Sequence, residues 1–391
     1  MTAVGPLSGL TVVELTHMVM GPTVGHVLSS LGAEVVRIEP PGGDPTRRLI
    51  GSGAGFFSMY NRGKRSVCLD LKSPKGLALA RELSARADIL VENFRPGALD
   101  RLGLGYEALA AENPRLIYCS EKGFLPGPYE DRTALDEVAQ MMGGLAYMTG
   151  PPGRPLRAGA SVIDVMGGLF GVIGVLAALE ERGRTGKGQK VVASLFETTV
   201  YLVGQHMAQF AVTGSPALPM PARMSAWGIY DVFDTKDEPI FVGVVSDGLW
   251  KKFCEAFGLT ELWEDQSIRT NNQRVLARDR ILVRLRPLLG GMTRSEIVAK
   301  LENTGVPFAP IGKPEELFDD PHLAAGGLED VVLENGTATH LPRVPLEMNG
   351  RRLGGESVLP RPGADTRAVL AELGYKDTDI SALASEGEVE V

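Results

Sequence analysis

Short apolar runs alternate with helical periodicities over the first two hundred residues. Residues 11–15 (TVVEL), 34–39 (EVVRIE), 66–71 (SVCLDL), 88–92 (DILVE) and 115–120 (RLIYCS) read as strands, and 189–195 as a sixth. Between them, 21–31 predicts a helix opening at Pro22. Pro74 opens another through Ala87, with apolar residues at 77, 79, 80 and 83 at helical spacing. Further helices are expected near 136–148, 165–181 and 198–213. Alternating strands and helices with near-continuous apolar strands predict a parallel sheet covered on both faces.

The pattern changes at 215–223 (SPALPMPAR), where three prolines in nine residues mark a linker. Beyond it, 228–234 and 239–245 alternate around TKDE as an antiparallel hairpin. Helical patterns follow at 250–257, 274–289 and 294–303. An extended stretch at 328–348 leads to a short helix at 365–373 and an acidic tail. The expected organisation is a large α/β domain over 1–200, rejoined by about 340–391, and a small α+β domain over 226–325. Residues 201–225 and 326–339 would link them.

The chain of 391 residues is 44% hydrophobic and 23% charged, which is globular rather than disordered. Its net charge of −8 argues against nucleic acid as a partner, which needs a clustered basic excess. No apolar run reaches about 18 residues without polar interruption, and 162–179 contains Asp164. No membrane role is expected. Cys68, Cys119 and Cys254 are odd in number and form no CxxC pair, so buried thiols in a reducing cytoplasm are expected.

There is no P-loop, nucleophile elbow or HExxH motif, and the five histidines show no metal-ligand spacing. Two features stand out. His17 follows the first strand in THMVMGP, at the strand end where open α/β sheets bind ligands; it could equally cap that loop. Asp164 lies in the apolar run GASVIDVMGGLFGVIGVL. A carboxylate there must be paired, cap a helix or be functional, and local pattern leaves the choice open.

The blocks VVELTHMVMGP, GAEVVRIEPPGGDPTR, NRGKRSVCLDLKSPKG, DILVENFRPGALDRLGLGY, NPRLIYCSEKGF, GASVIDVMGG and RTGKGQKV resemble, in order, the family III CoA transferases. That family includes formyl-CoA transferase, carnitine CoA-transferase and α-methylacyl-CoA racemase. The resemblance implies a doubly wound, Rossmann-like sheet with a second, smaller α+β domain, in an interlocked homodimer. It makes Asp164 the nucleophile that forms an aspartyl anhydride and then an aspartyl-CoA thioester. The substrates would be an acyl-CoA and a small carboxylic acid, with CoA as substrate and no resident cofactor. His17, Val19, Met20, Leu69, Lys72, Asn93, Phe94, Arg101 and Asp136 would line the CoA site. Without the resemblance, Lys72 and Arg101 read as surface charges; for Asp136, orienting Asp164, binding substrate and simply capping its helix stay open.

The sequence departs from the family in places. Pro40 follows Glu39 where an arginine is frequent, a lysine is replaced near Thr133, and the glycine-rich lid is missing from 228–245. The missing lid puts the oxalate–formate pair in doubt and leaves dicarboxylates such as succinate, with Arg157 and Arg223 as candidate partners of a distal carboxylate. The alternative is a 2-methylacyl-CoA racemase, which needs a histidine base before Asp136. Leu135 stands there instead, and no histidine occurs between His26 and His206. A catalytically idle CoA-binding protein is the third reading, which retention of Asp164 disfavours.

Overall fold

The chain opens with strand β1 (Thr11–Leu15), helix α1 (Met20–Ser30), β2 (Glu34–Glu39), α2 (Phe56–Asn61), β3 (Arg65–Leu69) and α3 (Pro74–Arg86). It continues through β4 (Ile89–Glu92), α4 (Ala98–Arg101), α5 (Tyr106–Glu112), β5 (Ile117–Lys122), α6 (Asp136–Met142) and α7 (Leu145–Thr149). The long helix α8 (Val162–Thr185), β6 (Lys190–Ser194) and α9 (Leu195–Thr213) complete this part. The computed structural model describes residues 5–354 and 357–391. They divide into one compact unit of Met1–Pro221 with Pro321–Val391, and a second of Ala222–Asp320.

In the first unit the strands run parallel in the order β3-β2-β1-β4-β5-β6, with the C-terminal strand Val389–Glu390 antiparallel beside β3. The order reverses between β1 and β4, where Leu15 pairs with Glu92. A crevice opens at such a point, outside the carboxyl ends of the strands. Both faces are covered, as the apolar strands require. Val12, Val24, Leu28, Val91 and Val175 fill one face beneath α1 and α8. Val13, Leu15, Leu83, Leu90 and Leu370 fill the other.

Helix α8 is long and apolar enough to cross a membrane by composition alone, with a hydropathy of 2.2. Here it packs on α1 and on strands β5 and β6. Its approach to α1 depends on Gly168, where a Cβ would lie 2.7 Å from the Met20 carbonyl oxygen.

Three expectations need correction. The linker expected over 201–225 is helical as far as Thr213, and Gly214, with φ of +69°, ends α9. The linker expected over 326–339 contains strand Leu328–Val332, paired antiparallel with Ala338–Pro342. The single helix expected over 136–148 is two, α6 and α7, separated at 143–144.

The second unit carries an antiparallel sheet of β7 (Ile229–Phe233), β8 (Ile240–Val244) and β9 (Phe308–Pro310), with β8 central. Its core gathers Trp250, Phe253, Leu285 and Ile297 from the surrounding helices.

Candidate active site

Charged residues of β1, β2 and the segment just before β3 build a buried platform. Glu14 accepts from Arg37 at 2.5 Å and from Lys64 at 2.7 Å, and all three side chains are buried. Arg37 also pairs with Asp44 and donates to the Thr16 hydroxyl at 2.9 Å. Burial lowers the Lys64 ammonium to about 8, although Glu14 opposes the shift. Burial alone would raise Glu39, but Arg47 and Arg37 outweigh it and take the carboxyl down to about 2. Removing one partner of such a pair would strand a buried charge and destabilise the fold.

The loop leaving β1 lies on this platform. His17 is exposed, and its ring meets Phe94 at 5.6 Å between centroids. Lys72 follows β3, and Arg101 ends α4 after β4; both are exposed. The exposed groups of His17, Lys72 and Arg101, with the half-buried Phe94, therefore stand on segments leaving the carboxyl ends of β1, β3 and β4, with β2 lying between β3 and β1. Val19 and Leu69 are wholly buried. Their side chains belong to the core, so a ligand could meet only their backbone. Met20 is also buried, against Gly167 of α8.

Asp164 lies in the first turn of α8, two residues inside its start, and is not the cap. The cap comes from α6. Asp136 Oδ2 accepts the backbone N–H of Ile163 at 2.9 Å and of Asp164 at 3.2 Å. Its Oδ1 accepts from Gln140 at 2.5 Å, and Gln140 in turn accepts the Ala158 N–H at 2.8 Å. Asp136 is thus a buried brace for the helix. Sequence reading missed Gln140, for which the local pattern offers no signal.

Arg157 is committed to the same brace. It reaches Asp136 at 3.4 Å, pairs with Glu137, and donates to the carbonyls of Ala158 and Ala160. That leaves it poorly placed to hold a substrate carboxylate, contrary to expectation. Arg223 belongs to the second unit.

The Asp164 carboxylate has no hydrogen bond of its own among the described residues. Burial, then the charges of Asp136 and Glu137, push it up to about 7, with Arg157 opposing. Tyr60 faces the same region: burial, then Asp164, raises its phenol. The glycines after Asp164 do not serve as oxyanion donors. Gly167 and Gly168 are inside the helix, and both pack tightly against α1. The arrangement offers an unengaged, partly desolvated carboxylate, which can attack an electrophilic carbonyl.

The model of CoA-transferase family III matches residues 7–366. The chain is 34% identical to a succinate–glutarate CoA-transferase of Agrobacterium fabrum, over 94% of this chain and 96% of that protein. It is 35% identical to an acetyl-CoA:oxalate CoA-transferase of Acetobacter aceti, over 92% of each. The crystal structure of a CaiB/BaiF family protein from Brucella suis superposes with a TM-score of 0.83 at 35% identity. That match covers 94% of this chain and 99% of the other.

Proposed function

The chain belongs to CoA-transferase family III, and we propose that it moves CoA between carboxylic acids through covalent intermediates on Asp164. It is an acyl-CoA:carboxylate CoA-transferase; the covalent route, the site residues and the acid pair are the substance of the proposal. The observation that carries the route is the unengaged Asp164 carboxylate, raised by burial and by two neighbouring carboxylates. Its charge is poorly solvated, and attack on a thioester passes that charge to a leaving thiolate.

An Asp164 oxygen bonds to the thioester carbon, the C–S bond breaks, and CoA leaves as thiolate. The thiolate attacks the aspartyl carbonyl of the mixed anhydride, breaking its C–O bond and releasing the donor carboxylate. An acceptor carboxylate then attacks the aspartyl-CoA thioester and expels the thiolate. The thiolate takes the acceptor's acyl group and frees Asp164. No net proton is consumed, and CoA enters as a substrate. These steps call for no resident cofactor.

His17, Lys72, Phe94 and Arg101 would meet CoA at the β1–β4 crevice, with the backbone of Val19, Met20 and Leu69 beside them and the two cations answering its phosphates. Relatives named for succinate, glutarate and oxalate support dicarboxylates as the acids. The active form would be a homodimer. Tyr201, Met207, Phe210 and Val212 of α9 are all more than half exposed, an apolar surface of the kind that a second copy covers. Light scattering should give twice the chain mass. The free thiols Cys68, Cys119 and Cys254 are all buried, which suits action in the cytosol.

A mass-spectrometric screen pairing acyl-CoAs with free carboxylic acids tests the reading. Exchange between dicarboxylates is expected. Stereospecific deuterium uptake from heavy water at Cα of a 2-methylacyl-CoA, without exchange, would favour a racemase instead.

A further inference from the structure

The loop between β1 and α1 contains a backbone conformation that its residue disfavours. Met18 has φ of +63°, and among the described residues Asn349 is the only other non-glycine with positive φ. A side chain without a short polar end pays of order 1–2 kcal/mol for that region. Something must hold Met18 there.

Asn93, in the loop after β4, does so from across the crevice. Its Oδ1 accepts the His17 N–H at 2.9 Å, and its Nδ2 donates to the His17 carbonyl, also at 2.9 Å. The His17 ring nitrogen Nδ1 lies 2.9 Å from the same Oδ1. Both backbone groups of the residue before Met18 are therefore held by one side chain. On the far side, the Met18 N–H donates to the Thr46 hydroxyl at 3.3 Å. Thr46 in turn donates its own N–H to Asp44 at 2.7 Å, and Asp44 pairs with the buried Arg37. Room for the Asn93 amide comes from Gly21, where a Cβ would lie 3.0 Å from Asn93 Cγ.

We infer that Asn93 is a positioning residue, a latch across the β1–β4 crevice that holds Met18 in its left-handed conformation and so shapes the loop for CoA. This rests on the proposed CoA-transferase reading. It reassigns Asn93 from a direct CoA contact to a group whose amide is already engaged. The latch joins the two strands between which the sheet order reverses, so it fixes the crevice at the place where a nucleotide would lie.

A double-mutant cycle between Asn93→Ala and Met18→Gly in the full-length chain tests this, read by calorimetric binding of free CoA. Alone, Asn93→Ala should weaken CoA binding about tenfold, as the loop relaxes from the strained conformation. With Gly at 18 the left-handed conformation carries no penalty, and the same change should cost less than about threefold. An equal loss in both backgrounds would mean that Asn93 touches CoA directly, and no loss would mean that the loop needs no latch; either overturns the inference.

Hydrogen exchange over 15–20 gives a readout that needs no ligand. Asn93→Ala should speed exchange there in the parent more than in the Met18→Gly background, and unchanged exchange overturns the latch. A wild-type protein that fails to bind CoA would instead overturn the functional reading, leaving exchange to decide the latch.

Discussion

The Asp136 carboxylate accepts the backbone N–H of Asp164 at 3.2 Å while its charge raises the Asp164 carboxyl. One group thus fixes the helix that carries the nucleophile and makes that nucleophile harder to ionise. Asp136→Ala removes the cap and should cost about 1–2 kcal/mol of stability. Asp136→Asn keeps one acceptor and loses the charge. It should move the acid limb of the kcat/KM profile to lower pH, which initial rates across pH will show. An unmoved limb would mean that Asp136 acts only as a cap.

For the wild type, kcat/KM should rise with pH and level off above about 7, because only ionised Asp164 attacks. Stability should run the other way. Asp164 has its folded value raised from 3.8 to about 7, so the stability linked to it is full below the unfolded value. It is lost as pH rises through the folded one. Asp164→Asn should therefore be more stable than the parent by about 1–3 kcal/mol at about pH 8, with allowance for solvent at a half-buried group. Thermal melts should show the gap closing toward about pH 4.

Glu121 extends the pH argument to the core. It is buried under α8, where a Cβ at Gly171 would lie 1.9 Å from its Oε1. Burial raises its carboxyl to about 8, so the folded protein keeps it protonated at neutral pH. The stability linked to Glu121 is then lost as pH rises from its ordinary 4.5 through about 8. Glu121→Gln has the same shape and no charge to release. Its melting temperature should fall less than that of the parent between about pH 6 and about pH 9.

Arg101 tests the CoA contacts. It is exposed at the end of α4. Arg101→Ala should weaken CoA binding by about 1.5–3 kcal/mol, the scale of a hydrogen bond to a charged group. An unchanged dissociation constant would return Arg101 to the solvated surface.

The strands of the large unit are legible in the sequence because both faces of a parallel sheet are covered, so 11–15, 34–39 and 89–92 each carry adjacent apolar residues (VV, VV and ILV) despite the charges of Glu14, Glu34, Arg37, Glu39 and Glu92. The cap of α8 is not legible. Its acceptor, Asp136, is 28 residues away, while local spacing leaves Asp164 open as cap or functional carboxylate. The ion network is hidden for the same reason: Glu14, Arg37 and Lys64 are isolated charges in the sequence and meet only once β1, β2 and the residue before β3 are side by side. Nor does the sequence show that Asn93 is engaged by His17, 76 residues earlier. The resemblance singled out Asp164 as nucleophile where pattern alone left cap and function open. Only the packing shows why its carboxylate stays unengaged.

The account turns on covalent chemistry at Asp164, and trapping tests it most directly. The enzyme is incubated with a donor acyl-CoA and no acceptor, quenched with hydroxylamine or borohydride, digested and read by peptide mass spectrometry. The account predicts a modification on the peptide containing Asp164, absent from Asp164→Ala, which should still bind CoA. Transfer activity that persists in Asp164→Ala, or a modification on a different residue, would contradict it.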